Sequence, residues 1–96
     1  MIDMTLEIAE RALRAAQAKA MAAASFRRSN AELVKLVAQG GFWSIVPTVL
    51  QGQILPTLGG APISRGGRVI GGIGCGGGTG EQDQECADAG AAAVKG

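Results

Sequence analysis

The sequence predicts an α/β (α+β) fold in which helices come first, a glycine-rich stretch of short strands and tight turns follows, and a further helix closes the chain. Three observations carry this. Residues 1–39 contain neither glycine nor proline, whereas the glycines and the three prolines all lie beyond them. Ser64-Arg65-Gly66-Gly67 separates Pro62-Ile63 from Arg68-Val69-Ile70, which reads as a hairpin whose two glycines take positive φ. Ser29-Asn30-Ala31-Glu32 and Thr79-Gly80-Glu81-Gln82 have the spacing of capping boxes and mark two helix starts.

In the first helix Leu6, Ala9, Leu13, Ala16 and Ala20 recur at spacings of three and four, an apolar stripe with Asp3 or Thr5 placed to cap its start. Glu7 and Glu10 each precede an arginine, Arg11 and Arg14, by four residues, the favourable order for surface pairs. The alanines from Ala20 to Ala24 continue helical propensity. Phe26-Arg27-Arg28 forms a joint whose arginines are expected in solvent. A second helix runs from the Ser29 box through Leu33, Val34, Leu36 and Val37 to the Gly40-Gly41 break. Beyond it, Phe42 to Val46, Thr48 to Leu50, Gln53 to Leu55, Ala61 to Ile63 and Arg68 to Cys75 are short apolar runs punctuated by glycine and proline, and are expected as strands and loops. The last helix opens at the Thr79 box, with Glu81, Asp83 and Glu85 at its positive end, and is alanine-rich towards Val94.

Composition narrows the function. The 96 residues allow one domain, 1–96, with a thin core, because alanine makes up much of the 47% apolar content. A net charge of +1 supplies no field for nucleic acid or an anionic membrane. The longest mostly apolar stretch, Phe42 to Leu50, falls far short of the roughly 20 residues that span a bilayer. Asp3, Glu7 and Glu10 sit where a secretory signal would need a basic start and an apolar run, so a cytoplasmic protein is expected.

The sharpest local feature is the glycine loop. Gly72-Ile73-Gly74-Cys75-Gly76-Gly77 satisfies G-x-G-x-x-G between a strand and a helix, but no second strand with an acid follows to hold a ribose, and no Gly-Lys-Ser/Thr is present. A nucleotide site is not expected. The loop does offer main-chain amides at a helix N-terminus, where a carboxylate or phosphate fits; plain strand-to-helix packing explains the same glycines. Cys75 and Cys86 lack C-x-x-C spacing and the chain has no histidine, so no metal site is expected. Cys86 reads as a small buried hydrophobe, and Cys75 as a thiol between glycines with no neighbour in sequence to lower its pKa. Acid-base work would fall to carboxylates such as Glu81 or Asp83, which read more readily as helix-dipole partners in solvent. Phe42-Trp43 reads as a core anchor rather than a pocket wall.

Taken together, Gly59 to Ile63, Gly67 to Gly77, and Thr79 with Glu81-Gln82-Asp83 in the C-terminal half resemble the motifs of the GlcG/HbpS family. Gly59-Gly60-Ala61-Pro62-Ile63 matches its GG-x-PI turn. Gly67-Arg68-Val69-Ile70-Gly71-Gly72-Ile73-Gly74-Cys75-Gly76-Gly77 is similar to its strand pattern G-x-V-x-G-x-I-G-V-S-G, with Cys75 and Gly76 in place of Val and Ser. Thr79 with Glu81-Gln82-Asp83 matches T-x-EQD. Thr5-Leu6-Glu7, and Lys19 to Ala23 with Phe26 and Ser29, are similar to the family's first and second helices. In the family a strand pair carrying V-D-x-x-G-x-L and R-M-D-G separates those helices. Here Ala18-Lys19-Ala20 leads straight from one to the other, as though an internal segment had been removed, which leaves about three strands and an unprotected edge.

The resemblance implies an antiparallel sheet sandwiched by helices, homo-oligomers, and binding of haem or a corrinoid; some relatives act on small aromatic substrates. It places the ligand near Gly60, Pro62, Gly76, Gly77, Gly78, Thr79 and Gln82. Ligation of haem by histidine does not carry over to a chain that has none. The expected function is therefore a cytoplasmic, oligomeric binding module for a haem-like or other small organic ligand. The alternatives are a lyase or isomerase in which Glu81 or Asp83 moves a proton, and a purely structural oligomeric module.

Overall fold

The computed structural model describes residues 6–51 and 53–94. Four helices and two strands follow in the order α1 (Leu6–Phe26), α2 (Asn30–Ala38), α3 (Phe42–Val49), β1 (Gly60–Arg65), β2 (Arg68–Gly74) and α4 (Gly80–Val94). The fold is α+β, with an antiparallel sheet between helices. Caps expected at Asp3 or Thr5 lie outside the described residues.

β1 and β2 form the expected hairpin. Gly66 and Gly67, at φ 59° and 80°, make the two-residue turn that matches the twist of its strands. Pairing runs from Arg65 opposite Arg68 to Gly60 opposite Gly74, with a bulge at Ile63/Ser64 that leaves Ile70 without a partner and exposed. The period-two alternation then divides the sheet's faces between two helices. On one face Gly72 and Gly74 lie against the main chain of α1 at Ala20 and Ala16, and Gly60 lies against Lys19. On the other, Ile73 reaches Gly90 of α4.

α1 is one continuous helix through Ala18-Lys19-Ala20, the point where the strand pair is missing. Its apolar stripe is only half used. Ala16 and Ala20 pack on the sheet, but Leu6 and Leu13 are 76% and 59% exposed, because the first half of the helix overhangs a sheet that has two strands among the described residues. Of the surface pairs, Glu7 meets Arg11 at 3.0 Å, while Glu10 and Arg14 form no ion pair among the described residues.

α2 starts at the expected cap, where the Ser29 hydroxyl accepts from the Ala31 amide at 3.2 Å. The other half of that box is absent: Glu32 turns to Arg28 at 3.8 Å instead of reaching back. Beyond Gly41 the structure corrects the expectation of strands. Phe42 to Val49 is helical, with Pro47 inside it. Trp43, Val46 and Leu50 are spaced to face the core together, and a short apolar run does not distinguish that helical period from a buried strand. Gln53 to Leu55 is not a strand either. It docks on α1, where the Leu55 amide donates to the Ala18 carbonyl at 3.0 Å and Ile54 joins the core. The sheet accordingly has two strands, not about three.

The core is as thin as the composition implies. Ala22, Leu33 and Ile54 form its centre, surrounded by Phe26, Leu36, Trp43 and Leu50. Trp43 stacks edge-on between Phe26 and Phe42, at centroid distances of 5.0 and 5.3 Å, and is the anchor expected of it. Phe42 itself is 63% exposed. Asn30, fully buried beside Leu33, donates through Nδ2 to the carbonyls of Lys19, Leu55 and Thr57 at 3.2, 3.3 and 2.8 Å and so clamps the 55–57 segment to α1.

Candidate functional site

The glycine loop leaves the sheet at Cys75, whose amide extends the β ladder by donating to the Gly59 carbonyl at 2.8 Å. Gly76 to Thr79 then cross to the start of α4, which the sequence caps as expected. The Gln82 amide donates to Thr79 Oγ1 at 3.1 Å, and the Thr79 amide donates to Gln82 Oε1 at 3.0 Å. An acid side chain serves the same turn: the Gly78 amide donates to Asp83 Oδ1 at 3.0 Å. The amides of Gly78 and Thr79 are thus satisfied within the chain. Those of Gly76 and Gly77 have no partner among the described residues; Gly77 faces open space, and Gly76 has the Ala12 carbonyl oxygen 3.9 Å from where a Cβ would stand.

Asp83 is buried, with its other oxygen 3.4 Å from the Lys19 ammonium; the two side chains are 9% and 11% exposed. Lys19 also donates to the Cys75 carbonyl at 3.1 Å. One lysine on α1 therefore ties together the end of β2 and the first turn of α4. Asp83 is buried and engaged on both of its oxygens, whereas Glu81 is exposed at the same helix start. Sequence reasoning missed Lys19. Its signal was present, since Ala16, Lys19 and Ala23 share the buried face of the helix, and a charge there needs a counterion.

Gln84 was missed as well, although Asp83, Gln84 and Ala87 are the buried residues of α4. Its side chain accepts from the Gly59 amide at 2.9 Å and donates to the Gly60 carbonyl at 2.8 Å, to Ser29 Oγ at 3.2 Å and to Asp88 Oδ1 at 2.9 Å. The network links the Ser29 cap of α2 to the body of α4 through Gly59 and Gly60. Its effect is to fix the sheet end from which the loop departs.

The residues expected at the ligand fall into two groups. Gly76, Gly77, Gly78, Thr79 and Gln82 come together at the loop, all exposed. Gly60 is buried at the loop's base, where a side chain would meet the Lys19 carbonyl at 2.6 Å, so its smallness serves packing. Pro62 lies opposite Gly72, further along the hairpin, and is not brought beside the loop. Beside the loop, Cys86 is exposed rather than buried, because the inner face of α4 runs through Asp83, Gln84 and Ala87. Its sulfur is 2.8 Å from that of Cys75. Partial burial, then the neighbouring Cys86 and Asp83, push the Cys75 thiol up to about 11 against the pull of Lys19.

A second hollow is wholly apolar. Phe26, Phe42, Ile45, Val46, Val49 and Leu50 line a cavity of about 250 Å³ between α3 and the end of α1. Among the described residues no helix is long and apolar enough to cross a membrane.

The family model for the haem degrading protein HbpS-like group matches residues 4–92. The chain belongs to this family. Within the HbpS-like family, the solved structure of a PduOC:heme complex is 33% identical and covers 98% of this chain, at a TM-score of 0.77. HbpS itself is 34% identical over 84% of the chain, with a TM-score of 0.67. Klebsiella pneumoniae protein ORFY is 30% identical over 92%, with a TM-score of 0.70. The chain spans 65%, 55% and 58% of those three structures in turn. Among curated proteins none matches. This HbpS-like chain has a helix-covered hairpin, the glycine loop and the capped α4.

Proposed function

We propose that the chain is a homo-oligomeric binding protein for a small carboxylate-bearing organic ligand of the haem or corrinoid type, held at the Gly76–Thr79 loop. The observation that carries this reading is the likeness to a haem complex over 98% of the chain. The loop's chemistry supports it. Two adjacent amides, on Gly76 and Gly77, have no hydrogen-bond partner among the described residues and carry no side chains of their own, which suits a propionate-like carboxylate next to a helix N-terminus. The donor set differs from that of a histidine-ligated haem, since the chain has no imidazole. Affinity then rests on carboxylate capture and apolar contact rather than on a strong axial bond. Binding is favoured over proton transfer because Asp83 is committed to Lys19 and Gly78.

Titration of the purified chain with haemin tests this. A saturable shift of the Soret band is expected, and its absence overturns the reading. Gly76 has ordinary φ and its nearest atom to an added Cβ is the Ala12 carbonyl oxygen at 3.9 Å, so substitution there is tolerated. Gly76→Asp places a negative charge beside the carboxylate and is expected to weaken binding about tenfold, or about 1.4 kcal/mol. Gly76→Ala is expected to leave it nearly unchanged. Equal affinities for both variants would move the ligand away from the loop.

A further inference from the structure

The end of β2 and the first turns of α4 bring together two thiols that neither the capping of the loop nor the proposed ligand uses. Cys75 and Cys86 are eleven positions apart in sequence, and their sulfurs are 2.8 Å apart, within about 1 Å of the covalent S–S distance of ~2.05 Å. Cys86 is exposed on α4, and Cys75 is half-buried at the strand end. The two elements that carry them are already held in place. Lys19 bonds the Cys75 carbonyl and Asp83, Gln84 bonds the Gly59 amide and the Gly60 carbonyl, and the Cys75 amide bonds Gly59. The thiols therefore meet without any movement of the main chain beyond a small closure.

From this juxtaposition we infer that Cys75 and Cys86 are a peroxide-oxidisable pair that closes reversibly to an intramolecular disulfide across the glycine loop. Access sets the order of events. The Cys86 thiolate, in solvent, attacks one oxygen of hydrogen peroxide; the O–O bond breaks, hydroxide leaves and is protonated to water, and Cys86 becomes a sulfenic acid. The Cys75 sulfur then attacks the sulfenic sulfur and loses its proton. The S–O bond breaks, the hydroxyl leaves with that proton as a second water, and the disulfide forms. Two thiols give up two electrons and one peroxide accepts them. Cys75 is protonated at neutral pH, its thiol being pushed up to about 11, so it does not initiate, and its part in the second step rests on its nearness to Cys86. The bond would tether both ends of the Gly76–Thr79 segment, which makes the loop's freedom depend on redox state whatever ligand it holds.

The test is oxidation of the full chain with hydrogen peroxide, then alkylation and intact mass measurement. The expected product is a monomeric chain lighter by two hydrogen atoms that takes up no alkylating reagent and takes up two equivalents after reduction. Cleavage after Glu81 and Glu85 is expected to give fragments that stay joined until a dithiol is added. Two alkylated thiols after peroxide, a sulfinic acid on Cys86, or a disulfide between chains would each overturn the inference. Cys75→Ser is expected to leave Cys86 trappable as a sulfenic acid by dimedone. A closed ring of this size is expected to raise the melting temperature of the oxidised wild type by roughly 10 °C, with no rise in Cys75→Ser. An oxidised wild type that melts at or below the reduced form would show that the native fold does not accommodate the bond. Haem affinity enters none of these readouts, so they stand or fall separately from the proposed ligand.

Discussion

Lys19 places a positive charge beneath the glycine loop, almost out of solvent, and Asp83 is its counterion. Removing one member of such a pair leaves the other buried and unpaired, which costs far more than the pair itself contributes. Lys19→Met is therefore expected to lower the unfolding free energy by about 3 kcal/mol in urea denaturation, and Asp83→Asn in the same chain to restore most of it. Additive losses in the double variant would show that the charges are not coupled. Cys75 provides a pH-dependent contribution nearby. The folded protein holds the thiol proton more tightly than the unfolded chain, with the pKa raised from 9.0 to about 11 by partial burial and by Cys86 and Asp83, against Lys19. Between those two values the unfolded state binds fewer protons, so stability falls as pH rises through that window and is unaffected by this group below it. Denaturation under reducing conditions from pH 8 to 11 is expected to show a steeper decline for wild type than for Cys75→Ser; parallel profiles would remove the assignment. At this scale the local bonds were legible and the distant ones were not. Thr79 and Gln82 find each other three residues apart, as the capping box demands. Lys19 meets a partner 64 positions away, and only its place on an apolar helix face announced that one was needed.

The α1–β2 contact is made by absence of side chains. Gly72 and Gly74 lie directly under the backbone carbonyls of Ala20 and Ala16, so helix and strand approach main chain to main chain. An added methyl at Gly74 meets the Ala16 carbonyl oxygen, a rigid main-chain atom that cannot swing aside. Gly74→Ala is expected to destabilise by about 2 kcal/mol or more. Gly71, on the same strand, has nothing within 4 Å of an added Cβ, and Gly71→Ala is expected to leave stability unchanged or raise it by about 0.5 kcal/mol. Thermal melts of the two variants separate packing from a general penalty for replacing strand glycines, which would affect both alike. The hairpin and helix starts were readable because turn glycines and caps act within a few residues. α3 was not, because Phe42 to Val49 offers apolar residues at both periods, and what selects the helix is the Ala22, Leu33 and Ile54 core against which Trp43 and Leu50 pack.

The whole molecule carries more apolar surface than its small core accounts for. Its sheet has two strands, so β1 and β2 each have a single neighbour among the described residues, and such a hairpin depends on what covers it. α1 covers one face with its second half only. Its first half leaves Leu6 and Leu13 mostly exposed, while Met21 is 53% exposed further along the helix. The family resemblance implies a strand pair at the junction that α1 here spans as unbroken helix, and the apolar stripe of its first half stays uncovered among the described residues. A second copy would supply both kinds of contact, an apolar helix face and a strand edge, and association is the outcome expected from the same shortfall that keeps the core thin. Light scattering at micromolar concentration is expected to give a dimer or larger species. Leu6→Glu with Leu13→Glu places two charges on the overhanging stripe and is expected to shift the population towards monomer while the helical circular dichroism is retained, since both residues are exposed in the single chain. A wild-type chain that is already monomeric under these conditions, with a cooperative melt, would show that two strands and one thin core suffice alone.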